Sequence, residues 1–379
     1  MTDYEQLHQR AFLADLHCDT VLQMRRGYDI SVRHDDYHID IPRLQEGGVN
    51  LQVFACSVNP FEDEKSPFAA VNTQLDLLER EFDRNIGAMG ICYCVDDALH
   101  LNGQGKISAL LAIEGGGALE SNPANIERLF KRGVRLITIV HEESTGWCTS
   151  HKSTEASPDD LNDLGHEMIS EMNRLGIIID LSHSSVGTFW KVLDATTAPV
   201  VASHSCPAAF SDHTRNLSDD QIRAIADCGG VIGIGFIHMF LSEEFRERSN
   251  SFWAKYPDEE NELMRLFLSL MPEDEKGRRY AAYNDLLNEH SRHVADVRPT
   301  VSTVADAIDY VADLAGVDCV ALGSDYDGMT LPPIGLEDCS GYSNLTKVLV
   351  ERGYSEQEIH KILGDNFLRV LREVAESAT

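Results

Sequence analysis

Residues 11–20 read AFLADLHCDT, a short apolar run that closes on a histidine and an aspartate separated by one cysteine. On a strand, successive side chains alternate between faces, so His17 and Asp19 project to one side and Cys18 to the other. An imidazole beside a carboxylate at a strand end serves as an ion pair, a turn cap or half of a metal site. The rest of the chain decides among these.

Seven further runs have similar length and Val, Ile and Leu content: VNLQVFAC (49–56), SALLAIE (108–114), VRLITIVH (134–141), GIIIDLSH (176–183), PVVASH (199–204), GGVIGIGF (229–236) and VDCVALGSD (317–325). Strands buried on both faces read this way. Helix signals separate them. SPDDL offers Ser157 as an N-cap ahead of Pro158, and SDDQ (218–221) and SEQE (355–358) are capping boxes. TVSTVADAIDYVADLAG (300–316) is amphipathic and ends on glycine. Eight strands alternating with helices predict a single (β/α)8 TIM barrel over residues 1–379. An open doubly wound sheet is the alternative, but the glycine-rich turn EGGGALE lacks the G-x-G-x-x-G spacing of a nucleotide fold. Residues 240–298, charged and aromatic, read as an inserted pair of helices between the seventh and eighth strands, acting as a lid or a homodimer contact.

The chain has 379 residues, of which 43% are hydrophobic and 25% charged, the composition of a soluble enzyme-sized protein. Its 32 basic and 62 acidic residues give a formal net charge of −30. That charge repels phosphate backbones and anionic lipid, which argues against nucleic acid and membrane surfaces as partners. The N-terminus lacks the basic and apolar segments of a signal peptide, and no window approaches the roughly 18 apolar residues of a membrane helix. The nine cysteines are odd in number and do not pair into a framework; Cys92 and Cys94 read as alternate strand residues. A cytoplasmic protein with reduced thiols is the expectation.

Four of the 15 histidines end a predicted strand: His17, His141, His183 and His204. Glu114 ends the third strand and Asp325 follows the eighth. In a barrel, the C-terminal strand ends face one pocket. Six of eight strands delivering a titratable group to one rim point to a metal site. The economical assignment is two Zn2+ ions: His17 and Asp19 hold one, His183 and His204 the other, and Glu114 bridges. Such a pair lowers the pKa of a shared water. His141 is left to donate to a developing oxyanion.

The motifs DLHCDT, AIEGGGAL, TIVHEESTGW, DLSHSS, ASHS followed by TRN, and LGSDYDG resemble, in that order, the successive motifs of the membrane (renal) dipeptidase family, the M19 metallopeptidases. IDIPRLQEGGVNLQVFA and the closing DNFLRVL extend the match from residue 12 to near 371. The resemblance implies a binuclear zinc barrel of the metal-dependent amidohydrolase type that hydrolyses dipeptides, including those with a C-terminal D-residue. It implies zinc at His17, Asp19, Glu114, His183 and His204, substrate binding by His141 and Arg215, and proton handling by Asp325. These roles are physically sensible. A dipeptide carries a free carboxylate one residue from the scissile bond, and a planar guanidinium grips it in a fork. Asp325 takes a proton from the attacking water and passes it to the leaving amine. Asp327 reads as a turn residue. The family's tyrosine after the seventh-strand phenylalanine is absent; GFIHMF has Ile237 in that region.

The rival reading is a related metal-dependent amidohydrolase acting on N-acyl amino acids or cyclic amides. Many such barrels bridge their metals with a carboxylated lysine, whereas the bridging strand here ends on Glu114 with no lysine nearby. A phosphoesterase would gather several cations, and near the motifs only Arg215 offers itself.

Overall fold

The structure, a computed structural model, describes residues 3–34, 36–58, 66–153, 155–269 and 273–379. Among the described residues, nine parallel strands form: β1 (Leu13–Asp15), β2 (Val49–Ser57), β3 (Met89–Ile91), β4 (Ile107–Glu114), β5 (Val134–Thr138), β6 (Ile178–Asp180), β7 (Val201–Ser205), β8 (Val231–Ile234) and β9 (Val320–Leu322). Pairing runs β2-β1-β9-β8-β7-β6-β5-β4, and β4 returns to β2. Eight strands therefore close a (β/α)8 TIM barrel, and each overlaps one of the eight apolar runs. The ninth, β3, lies outside the ring. It pairs with Ile107, Ser108 and Ala109 on the edge of β4 that β5 takes over from Leu111 onward. Cys92 and Cys94 are not alternate strand residues: Cys92 follows β3, and Cys94 is the N-cap of the helix Val95–Gly103.

Alternation sorts the strands into two cores. Ala14, Leu51, Val53, Leu110, Ala112, Leu136, Ile178, Val201, Val231 and Ala321 pack together inside the ring. Phe367, Leu368, Val370, Leu371 and Val374 of the final helix, Asn366–Glu376, belong to the same cluster and stop the barrel. The opposite faces, such as Ala109, Leu111 and Ile113 of β4, pack against the surrounding helices. Glu114 has the parity of Leu110 and Ala112, so the inward face of β4 ends on a carboxylate.

β1, β6, β7 and β9 are shorter than their apolar runs, because carboxylates intercept backbone donors at their ends. Asp15 Oδ1 accepts the amides of His17 (3.3 Å) and Ser324 (2.8 Å). Asp180 Oδ1 accepts those of Ser182 (3.0 Å) and Ser203 (2.8 Å). His17 and His183 consequently lie beyond the strand ends rather than at the last strand position; His141 likewise lies beyond the end of β5. β7 keeps His204 within it but carries a bulge: Ala202 pairs with Ile232, whereas Ser205 pairs with Ile234. The extra residue re-aims the side chains around it. Glycines make room, since a Cβ at Gly233 or Gly323 would stand 2.0 or 1.7 Å from the Ser203 carbonyl oxygen.

Ser157 caps only a single turn, Pro158–Asp160; the following helix, Asp163–Leu175, starts from Asn162, whose side chain accepts from Gly165. Both predicted capping boxes, at Ser218 and Ser355, form. Where the sequence predicts a pair of helices over residues 240–298, the described residues form five α-helices: His238–Leu241, Glu243–Trp253, Pro257–Leu268, Glu273–Ala281 and Asn284–His293. Ser242 and Pro257 divide the run by capping and restarting helices. The beginning of this excursion braces the loop after β7. Phe240 O accepts Asn216 Nδ2 at 2.9 Å, and Glu243 Oε2 accepts the Ser211 hydroxyl and the Asp212 amide, both at 2.9 Å.

Candidate metal centre

Each residue of the expected site reaches the C-terminal mouth of the barrel. Glu114 ends β4, and His17 lies two residues past β1. Asp19 caps the helix Thr20–Arg25, with its amide bonded to the Tyr326 carbonyl oxygen at 2.9 Å. His141 and His183 stand three residues past β5 and β6, and Asp325 three past β9. His183 and Asp325 have φ of 67° and 62°, a left-handed conformation that non-glycine residues adopt uncommonly. Strained backbone of this kind collects at functional sites.

The side chains converge on one atom. Glu114 Oε1 lies 3.3 Å from His183 Nε2, 3.5 Å from His17 Nε2, 3.6 Å from His204 Nε2 and 3.8 Å from His141 Nε2. His17 Nε2 also faces Asp19 Oδ2 and Asp325 Oδ1, each at 3.8 Å. The Nε2 atoms of His183 and His204 are 3.0 Å apart. Arg215, predicted from the loop after β7, is buried at 5% exposure and donates from Nη2 to the His204 carbonyl oxygen at 3.1 Å.

Burial and charge divide the imidazoles. Burial alone would lower His17, but the carboxylates of Glu114, Asp19 and Asp325 outweigh it and raise His17 to about 10. His183 is lowered to about 4, first by burial and then by Arg215 and His141. Burial, with His17 and Arg215 next, also lowers His204. Glu114 is lowered despite its burial, by His141, His17 and His183. Asp325 is raised, by burial and then by the neighbouring Asp19 carboxylate.

The residues fit a divalent metal. His17 Nε2 is buried and makes no hydrogen bond, although three carboxylates face it. Among the described residues, ligand atoms gather in four overlapping sets: His17, Glu114 and His204; Glu114, His141 and His183; His17, Asp19 and Asp325; and Glu142, His151 and His183. Imidazole and carboxylate donors suit zinc and its neighbours in the first transition row.

The supporting residues were not anticipated. Asp15, wholly buried, also accepts the Ser324 hydroxyl at 2.6 Å and the Tyr342 hydroxyl at 2.7 Å, tying the His17 segment to the Asp325 segment. Asp180 holds Thr138 and Ser203 inside the barrel, each by a 2.6 Å hydroxyl bond. Glu142, next to His141, places Oε1 3.3 Å from both His151 Nε2 and His183 Nδ1. The signal for the two aspartates was an acid within an apolar run, which burial requires to be satisfied. Glu142 gave no signal, because it meets His151 within its own loop and His183 from the next only once the chain is folded. Asp327 takes the Thr20 hydroxyl at 2.7 Å and the His38 amide at 2.8 Å.

A closed parallel barrel whose mouth gathers four imidazoles around one buried carboxylate defines a metal-dependent hydrolase. A sequence model of the membrane dipeptidase family, peptidase family M19, matches residues 1–379, and the chain belongs to that family. It is thus a metal-dependent peptide hydrolase of dipeptidase kinship. The dipeptidase tcpJ of Claviceps purpurea (strain 20.1) is 30% identical over 382 residues, covering 96% of this chain and 77% of that protein. Two solved structures have the same fold. The probable dipeptidase PvdM of Pseudomonas aeruginosa superposes with a TM-score of 0.80 at 23% identity, over 99% of this chain and 98% of that one. A metallo peptidase from Rhodobacter sphaeroides, liganded with a phosphinate mimic of the dipeptide L-Ala-D-Ala, superposes with a TM-score of 0.76 at 22% identity, over 96% and 99%. Among the described residues, no helix is long and apolar enough to cross a membrane.

Proposed function

We propose that this chain is a binuclear zinc dipeptidase that hydrolyses free dipeptides, including those with a C-terminal D-residue. The observation that carries the reading is the convergence of four Nε2 atoms on Glu114 Oε1, with the Asp19 and Asp325 carboxylates beside His17. His17 and Asp19 would hold one ion, His183 and His204 the other, and Glu114 both. When bound, zinc supplies Lewis acidity and acidifies water.

The chain's own groups do the rest. Asp325 accepts a proton from the attacking water and returns it to the leaving amine nitrogen, which would otherwise depart as a poor anion. His141, whose side chain is 29% exposed, donates to the oxyanion that develops on the carbonyl oxygen. Arg215 receives the substrate's terminal carboxylate, which selects dipeptides over longer or amidated chains. The dipeptidase relative and the dipeptide mimic held by the Rhodobacter sphaeroides enzyme support this substrate class. The test is hydrolysis of a small panel of L-L and L-D dipeptides by zinc-loaded protein, with an N-acyl amino acid as control. Turnover of dipeptides but not of the control is expected; preference for the control would favour the amidohydrolase reading.

A further inference from the structure

The polar groups beneath His204 have a determined direction of proton donation. Asp180 Oδ1 receives two backbone amides, from Ser182 and Ser203, at 3.0 and 2.8 Å. Its Oδ2 receives two hydroxyls, from Thr138 and Ser203, each at 2.6 Å. A serine hydroxyl has one proton to give, and Ser203 gives it to this carboxylate. Ser203 Oγ also lies 2.8 Å from His204 Nδ1, and with its proton already directed to Asp180 it can only accept there. Nδ1 must carry the hydrogen. In a neutral imidazole, Nε2 then bears the lone pair. That is the atom 3.6 Å from Glu114 Oε1 and 3.0 Å from His183 Nε2.

Other contacts hold the chain of groups in this arrangement. The His204 amide donates to Ser182 Oγ at 3.1 Å. Thr138, Asp180, Ser203 and His204 are all at most 1% exposed, so water does not compete for these bonds. The β7 bulge brings Ser203 Oγ and His204 Nδ1 together, and Gly233 and Gly323 leave space for the bulged carbonyl. Sequence alone presents Ser203 only as a small residue before a histidine.

We propose that Asp180 and Ser203 form a buried relay that fixes His204 as the Nδ1–H tautomer, making Ser203 a positioning residue that presents Nε2 as a ready metal donor. The relay rests on the metal centre proposed above. Groups that orient a ligating histidine in this way are typically worth about 10–100-fold in metal affinity.

Zinc affinity, measured on the full chain by competition with a chromophoric chelator, tests the relay without reference to turnover. Ser203→Ala removes the acceptor and should weaken zinc binding by about 10–100-fold. Asp180→Asn keeps the shape but turns a donating amide toward Ser203, so the serine proton points at Nδ1 and the wrong tautomer is favoured. It should weaken zinc by at least about tenfold. Ser203→Thr retains the hydroxyl and should restore affinity to within about threefold, as should Thr138→Val, which trims Asp180 without touching the relay. Wild-type affinity in Ser203→Ala or Asp180→Asn overturns the relay, as does an equal loss in Thr138→Val. Asp180→Asn also keeps the test available should Ser203→Ala fail to fold. If the unaltered chain binds no zinc, the metal centre itself falls, and the relay with it.

Discussion

Arg215 is fastened to the backbone of His204: its Nη2 donates to the His204 carbonyl oxygen at 3.1 Å. Its guanidinium carbon also lies 5.5 Å from the centroid of the Phe240 ring. Burial lowers Arg215 from its ordinary range, and the carboxylates of Asp325, Asp180, Glu114 and Glu142 oppose the shift. A guanidinium stays charged even so, and a buried charge held in one orientation pairs strongly with a carboxylate.

If that carboxylate is the substrate's, amidating the C-terminus of a dipeptide removes a charge-assisted pair. The expected loss in kcat/KM is about thirtyfold or more, corresponding to about 2 kcal/mol. Arg215→Ala should lose a similar factor on the free dipeptide and little more on the amide. Equal rates on amidated and free substrates would show that the carboxylate is not being read.

Asp325→Asn isolates the proton carrier. Asparagine tolerates the left-handed backbone at this position, where φ is 62°, so the turn should persist. The variant should retain its metal and lose about a hundredfold or more in kcat, the usual scale for a general acid–base group. Near-normal turnover with metal in place would make Asp325 a turn residue and pass its role to His141.

The eight barrel strands were legible because parallel strands buried on both faces appear as continuous apolar runs. β3 was not, since three residues containing a glycine make no run. The location of the histidines at the barrel mouth was legible, but where the ladders stop was not. That depends on Asp15 and Asp180 capturing amides from their own and neighbouring strands. The alternation argument for His17 and Asp19 accordingly does not hold, because β1 ends at Asp15, yet both side chains still reach the same cluster. Arg215 was legible only through the family motif; its burial comes from packing against Phe240 and the His204 carbonyl, which the local sequence does not show. Glu142 and His151 meet His183 only through tertiary folding.

Gly328 is the spacer between two acids of the site. A Cβ at this position would stand 2.2 Å from Asp19 Oδ2 and 2.4 Å from Asp325 Oδ1. Gly328→Ala should therefore fold but displace both carboxylates, and a displacement of about 1 Å at a catalytic group costs about a hundredfold in rate. Activity together with the thermal midpoint checks this: a fall in kcat with the midpoint little changed is expected, and full activity would show that the two carboxylates need no such spacing.

In the proposed centre, Glu114 joins two zinc ions. Zinc per chain, measured by elemental analysis after loading and removal of excess metal, tests it most directly when wild type and Glu114→Gln are compared. Two ions per chain are expected in the wild type, with loss of most bound zinc in the variant, because glutamine gives up the charge that faces four imidazoles. A wild type holding a single ion, or a Glu114→Gln protein that retains two and remains fully active, would contradict it.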